Sequence, residues 1–269
     1  MNIDLQTCLL LTAKISAVGV AIADAEYLAN RRLLTNSGLM SWILGRLRAP
    51  VFAVGTLATC LDSVLRYPNV LVLIGMRMAL AVCVVAGDEA VALNGLILLA
   101  IAILSMSLVV RTTYGHDGSD QMTSVIFWPL GICMLVGTDL VTTAGVWFIA
   151  MQACLSYLTA GVAKASARGW RDGSYLVGIA GTQIYGNASI AAHLKAHPRL
   201  AKLISRFIIG WECFFPLVIV TPYPLSIAIL ISGVLFHALN AVLMGLNCFL
   251  WTFVATYPAI LYCVQSRGW

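Results

Sequence analysis

Charged residues are scarce in this chain. They make up 10% of its 269 residues, against about a quarter in soluble domains, which excludes a soluble protein with a hydrated surface. Internal repeats and low-complexity tracts are also missing, and without repeated halves a secondary transporter is disfavoured, because transporter folds are commonly built from repeats. The eight cysteines (8, 60, 83, 133, 154, 213, 248, 263) include no Cys-x-x-Cys pair and no cysteine–histidine cluster at metal-ligand spacing. They read as small hydrophobes, and no metal is expected. The start, Met1-Asn-Ile-Asp-Leu-Gln6, lacks a basic leader and no cleavage site follows it, so no removable signal peptide is expected. Walker, His-Glu-x-x-His and Gly-x-Ser-x-Gly motifs and haem-spaced histidine pairs are absent too.

What is present is apolar. Hydrophobic residues account for 61% of the chain and the mean hydropathy is +0.93. Since a helix needs roughly 20 apolar residues to cross the hydrocarbon, the runs predict an all-α, polytopic membrane bundle of about eight or nine spans. They fall at 7–29, 50–66, 69–87, 90–111, 123–137, 140–163, 204–221, 224–243 and 245–264. A weakly apolar, glycine-rich stretch at 173–190 reads as a short or re-entrant segment. No large soluble domain fits, so residues 1–269 are expected to form a single transmembrane domain. Tyr67-Pro68, Thr221-Pro-Tyr-Pro224 and Tyr257-Pro258 mark turns or kinked ends, because proline removes a backbone donor.

The net charge of +5 sits in loops and signals membrane topology rather than nucleic acid. Arg31, Arg32, Arg46 and Arg48 in one connection, and Lys195, Arg199, Lys202 and Arg206 in another, hold half of the sixteen basic residues. The positive-inside rule places both connections in the cytoplasm. Counting crossings from Arg48 then puts the loop at 112–122 and the segment after Lys164 on the extracytoplasmic face.

The polar loop Arg111-Thr-Thr-Tyr-Gly-His116-Asp-Gly-Ser-Asp-Gln-Met122 is either a solvated turn or a functional loop held by the scaffold, with His116 able to donate, accept or carry charge. Lys164 is either an interfacial anchor beside Trp170 or, if tucked into the bundle, a neutral amine whose proton affinity burial has lowered. Glu212 and His237 lie inside apolar runs, where an ionisable group costs a few kcal/mol. They either line a cavity or bind helices together, with Asn240 and Asn247 as available partners. Arg77 raises the same question.

Three stretches resemble the vitamin K-dependent gamma-glutamyl carboxylases and the related bacterial horizontally transferred transmembrane proteins. They are Ala160-Gly-Val-Ala-Lys164 followed by Trp170 and Gly173, His116 in the loop before a span, and Phe236-His-Ala-Leu-Asn240 running on to Phe249 and Ala255-Thr-Tyr-Pro258. Asp117-Gly-Ser-Asp-Gln-Met122 looks like the bacterial branch. The likeness extends over roughly residues 110 to 265. It implies a membrane enzyme, a lyase and quinol epoxidase, in the bacterial inner membrane with its active face extracytoplasmic. Its cofactor would be reduced vitamin K or menaquinol, with O2 and CO2 as co-substrates.

By the same resemblance Lys164 would deprotonate the quinol, and His116 would stabilise the negative charge that develops when a glutamate γ-carbon loses its proton. His237, Asn240, Glu212 and Trp170 would contact the cofactor. The carboxylases carry paired lysines where this chain has Ala163-Lys164, and the chain ends about where their membrane part ends, so their large substrate-holding domain is not expected. The bacterial relatives include a maturation protein for a sporulation-delaying toxin. The alternative expectation is accordingly a non-catalytic membrane subunit or peptide-maturation factor that binds quinone, lipid or a partner protein. A quinone-reducing redox subunit is disfavoured by the length of the chain and its lack of paired cysteines.

Overall fold

The computed structural model describes residues 3–48, 54–112, 118–183 and 186–267. Among them every regular element is a helix. The chain forms two compact units, Leu5–Val146, and Trp147–Trp269 together with Met1–Asp4.

The first unit holds α1 (Leu5–Ala29), α2 (Trp42–Gly45), α3 (Thr56–Leu65), α4 (Val70–Ala86), α5 (Glu89–Ala92), α6 (Gly95–Arg111), α7 (Gly118–Val136) and the first turns of α8 (Asp139–Ser166). α1 packs along α4 and α6 along α7. The buried face of α1 is built of small residues, Cys8, Thr12, Ala13, Ser16 and Ala17, which let helices approach closely where lipid gives no hydrophobic drive to associate. Pro68 lies at the break between α3 and α4, which bend by 68°. Asn94 caps α6 by accepting hydrogen bonds from the N–H groups of Leu96 and Ile97, two of the donors a helix start leaves unpaired.

Two arginines organise this unit. Arg77, on α4, binds both carboxylate oxygens of Asp24 on α1 through Nε at 3.0 Å each and donates to Ser105 Oγ on α6 at 3.2 Å. Arg77 therefore ties three helices together, and a guanidinium this deep tolerates burial because its charge is paired. Arg111, fully buried at the end of α6, donates to the carbonyls of Leu34, Met40 and Leu65, fastening the polar connection between α1 and α3 onto the helices.

The second unit continues α8 and adds α9 (Arg168–Asp172), α10 (Ser174–Ala180), α11 (Ala188–Ala196), α12 (Pro198–Phe214), α13 (Tyr223–Met244), α14 (Asn247–Val254) and α15 (Tyr257–Ser266). A 3-10 turn at Phe215–Ile219 extends α12. Proline stands in the first turn of α12, α13 and α15, where its missing N–H costs nothing. Two of the proline breaks expected from sequence, at 221–224 and 257–258, are thus helix starts.

Among the described residues, five helices are long and apolar enough to cross a membrane: α1, α7, α8, α13 and the continuous stretch Asn247–Ser266 formed by α14 and α15. The count rises to six if the bent pair α3 and α4 is one span. The runs read from sequence as two spans at 50–66 and 69–87 include α3, which at ten residues rises only about 15 Å. The runs at 90–111 and 204–221 hold helices of 17 residues each, α6 and α12.

Candidate active site

Lys164 sits in the last turn of α8. Its Nζ donates to both oxygens of Glu212, on α12, at 2.7 Å each. The lysine side chain is 21% exposed and the glutamate 6%, so the pair lies at the rim of the unit with its acid inside. The Trp170 ring covers the amine at 5.4 Å from Nζ to the ring centroid, within reach of a cation–π contact.

Gly161 makes this pairing sterically possible. It lies three residues, about one turn, before Lys164, and a β-carbon there would meet Cys213 Sγ at 2.7 Å, Cys213 N at 2.8 Å and Glu212 Cβ at 3.0 Å. Only glycine lets α12 come this close to α8, and closeness at Gly161 sets Glu212 beside Lys164. On α12 a step of 100° per residue places Glu212 with Ala201 and Ser205 on one buried face.

Two turns back along α8, Tyr157 shares the lysine's face at i−7. Its hydroxyl lies 2.6 Å from His237 Nε2 and 2.9 Å from Tyr257 Oη. All three side chains are buried, and they join α8, α13 and α15. Phe215 stacks on Tyr157 with centroids 3.8 Å apart, and Phe253 stacks on His237 at 4.7 Å. His237 Nδ1 is buried and without a hydrogen-bond partner. Whichever nitrogen carries the hydrogen, one polar atom of this imidazole faces an aromatic wall unsatisfied, which costs about 1–3 kcal/mol unless another group meets it.

Trp211 links the two groups. It packs edge-on against Tyr157 at 5.4 Å, donates through Nε1 to Ser232 Oγ at 3.0 Å, and precedes Glu212 in the chain. It also lines an apolar groove of 540 Å3 between α12 and α13, with Phe207, Phe214, Leu217 and Leu225.

The structure thus joins Lys164, Glu212 and Trp170 in one cluster and places His237 in a second. Asn240, one turn beyond His237, is half-buried, and its carbonyl helps to close α13 by accepting from the N–H groups of Gly245 and Leu246. The partners that sequence offered to Glu212 and His237 were Asn240 and Asn247, whereas those observed are Lys164 and Tyr157. His116 lies outside the described residues. Tyr157 and Tyr257 were not singled out as site residues, although Tyr157 stands at helical spacing from Lys164 and Tyr257 falls in the Ala255-Thr-Tyr-Pro258 stretch. No disulfide joins any of the eight cysteines. Compared with known protein families, with curated proteins and with solved structures, the chain matches none.

Proposed function

We propose that this chain is a membrane-embedded, carboxylase-like enzyme of the bacterial inner membrane that uses reduced vitamin K or menaquinol, O2 and CO2 to modify glutamate of a peptide or a small acid. The observation that supports this reading is the amine–carboxylate pair of Lys164 and Glu212, set at the edge of an apolar helical unit. On the same reading α6, and α12 with its 3-10 extension, also cross the membrane, which with the five long helices and the bent pair makes eight crossings.

The residues fit such a cofactor in kind. An unsatisfied imidazole nitrogen among Phe236, Phe249 and Phe253 suits an aromatic body that bears hydroxyl groups, and Trp211 opens onto an apolar groove. His237, Trp211, Trp170 and Asn240 would hold it. When bound, the reduced naphthoquinone supplies, with dioxygen, a base strong enough to remove a carbon-bound proton from glutamate, to which carbon dioxide then adds.

Lys164 contributes a movable proton. One Nζ–H directed at Glu212 would pass to a carboxylate oxygen 2.7 Å away, leaving a neutral amine beside a carboxylic acid. The lone pair exposed on Nζ then accepts a proton from an acidic hydroxyl, as a general base must. The Tyr157–His237–Tyr257 chain orients hydroxyl and imidazole hydrogens, and the surrounding phenyl rings would shield a strong base from quenching. His116 keeps the role of stabilising developing negative charge.

Purified protein given vitamin K hydroquinone and oxygen is expected to form the epoxide, and Lys164→Ala to form none while remaining folded. Absence of epoxide from the wild-type protein under all reducing conditions would count against the enzyme.

A second reading is favoured by the completeness of the ion pair, in which both oxygens of Glu212 are satisfied by one amine. In this reading the pair fastens α8 to α12 in a non-catalytic subunit or maturation factor that binds lipid, quinone, a peptide or a partner protein. Lys164→Ala would then lower stability without removing a chemical step.

A further inference from the structure

From Lys164 to Arg206, both included, the chain carries seven Lys and Arg residues and one acidic residue, Asp172. The extracytoplasmic assignment of the segment after Lys164, beside a cytoplasmic assignment of Arg199 to Arg206, requires a crossing between them. Among the described residues no helix there is long enough. α10 has seven residues and α11 nine, or about 10 and 14 Å of rise against a hydrocarbon core of about 30 Å.

The two ends of the stretch are moreover packed together. Ser205 Oγ donates to the Trp170 carbonyl, Arg206 Nε donates to the Arg171 carbonyl at 3.2 Å, and Gly173, in the left-handed region at φ +88°, lies so close to α12 that a β-carbon would meet Lys202 N at 2.6 Å. The segment after Lys164 and the basic start of α12 therefore lie at the same level of the unit.

The start of α12 has three faces. At 100° per residue, Ala201, Ser205 and Glu212 form the buried one, Arg199, Lys202 and Arg206 an exposed basic stripe, and Leu200, Leu203 and Phe207 an exposed apolar stripe directly beside it. Leu203 is 66% and Phe207 69% exposed, and bare apolar side chains next to cations are what the end of a helix presents where it meets the lipid interface. Arg168 and Arg171, on α9, add two exposed cations. The carboxyl of Asp172 is held below its usual range, first by the Ser174 backbone N–H at 3.0 Å, so it stays ionised and offsets one of them.

We infer that α9 and the first half of α12 form a docking surface for anionic phospholipid headgroups of the cytoplasmic leaflet, so that the Lys164–Glu212 pair opens to the cytoplasmic side. The cations would meet the phosphates while Leu200, Leu203 and Phe207 enter the acyl boundary. The positive-inside rule and the negative potential of that leaflet select the same side. The inference stands whether or not Lys164 performs catalysis, and it fixes the side from which any substrate of that lysine must come.

Two measurements on the full chain test it. With the exposed Cys60 and Cys83 replaced by serine, a Ser189→Cys variant in spheroplasts is expected to resist a membrane-impermeant maleimide until the membrane is opened. Labelling in intact spheroplasts overturns the assignment of side. In detergent, the purified protein is expected to bind phosphatidylglycerol in preference to phosphatidylcholine. The double variant R199Q/K202Q should lose phosphatidylglycerol affinity about thirtyfold, and the charge-keeping R199K little. Equal affinity for the two lipids, an unchanged double variant, or full competition by inorganic phosphate overturns the headgroup site.

Discussion

Lys164 and Arg77 are both cations within apolar helices, yet their surroundings suit different work. Arg77 is 5% exposed and held by Asp24 and Ser105, so it has no route to a substrate and serves as a clasp. Lys164 keeps a path to the interface while its acid partner stays inside. Removing the guanidinium leaves Asp24 as an unpaired charge in the interior. Arg77→Met is therefore expected to destabilise the protein by about 3–5 kcal/mol, read from thermal unfolding in detergent, whereas the double variant Arg77→Met/Asp24→Leu should recover most of that loss. A single variant as stable as wild type would show that the pair contributes nothing to packing.

Among the elements, the contact of α8 with α12 decides the site. Gly161→Ala would gain about 1 kcal/mol of helix propensity but places a β-carbon 2.7 Å from Cys213 Sγ, and overpacking of this kind costs about 1–3 kcal/mol. The clash wins, because the Cys213 backbone nitrogen at 2.8 Å cannot rotate away as a side chain can. Gly161→Ala is thus expected to lower the thermal midpoint and, on the proposed enzyme reading, to reduce epoxidation more than stability alone accounts for by parting Lys164 from Glu212. Proline breaks and the long apolar helices were legible in the sequence because each is a local property. The pairing of Lys164 with Glu212 was not, since 48 residues separate them and the close approach at Gly161 shows only in the folded chain. His237 was singled out for being polar in an apolar run, but its partner was misjudged. Asn240 is near in sequence, whereas Tyr157 is near in space.

At the scale of the molecule, hydropathy established an all-helical chain with membrane-length helices, but it drew the bent pair α3 and α4 as two separate spans. It also could not see that the residues after Lys164 fold back onto α12. The central claim is that the amine at position 164 performs chemistry beyond fastening two helices, and exchanging the partners separates these roles. Lys164→Glu/Glu212→Lys retains an ion pair between α8 and α12 but moves the amine to the other helix. Thermal stability and vitamin K hydroquinone epoxidation should be measured on the same purified sample. If the amine is the base, the exchanged protein stays within about 1 kcal/mol of wild type while epoxidation is lost. A protein that is equally stable and forms epoxide at the wild-type rate would contradict the assignment of Lys164 as the base.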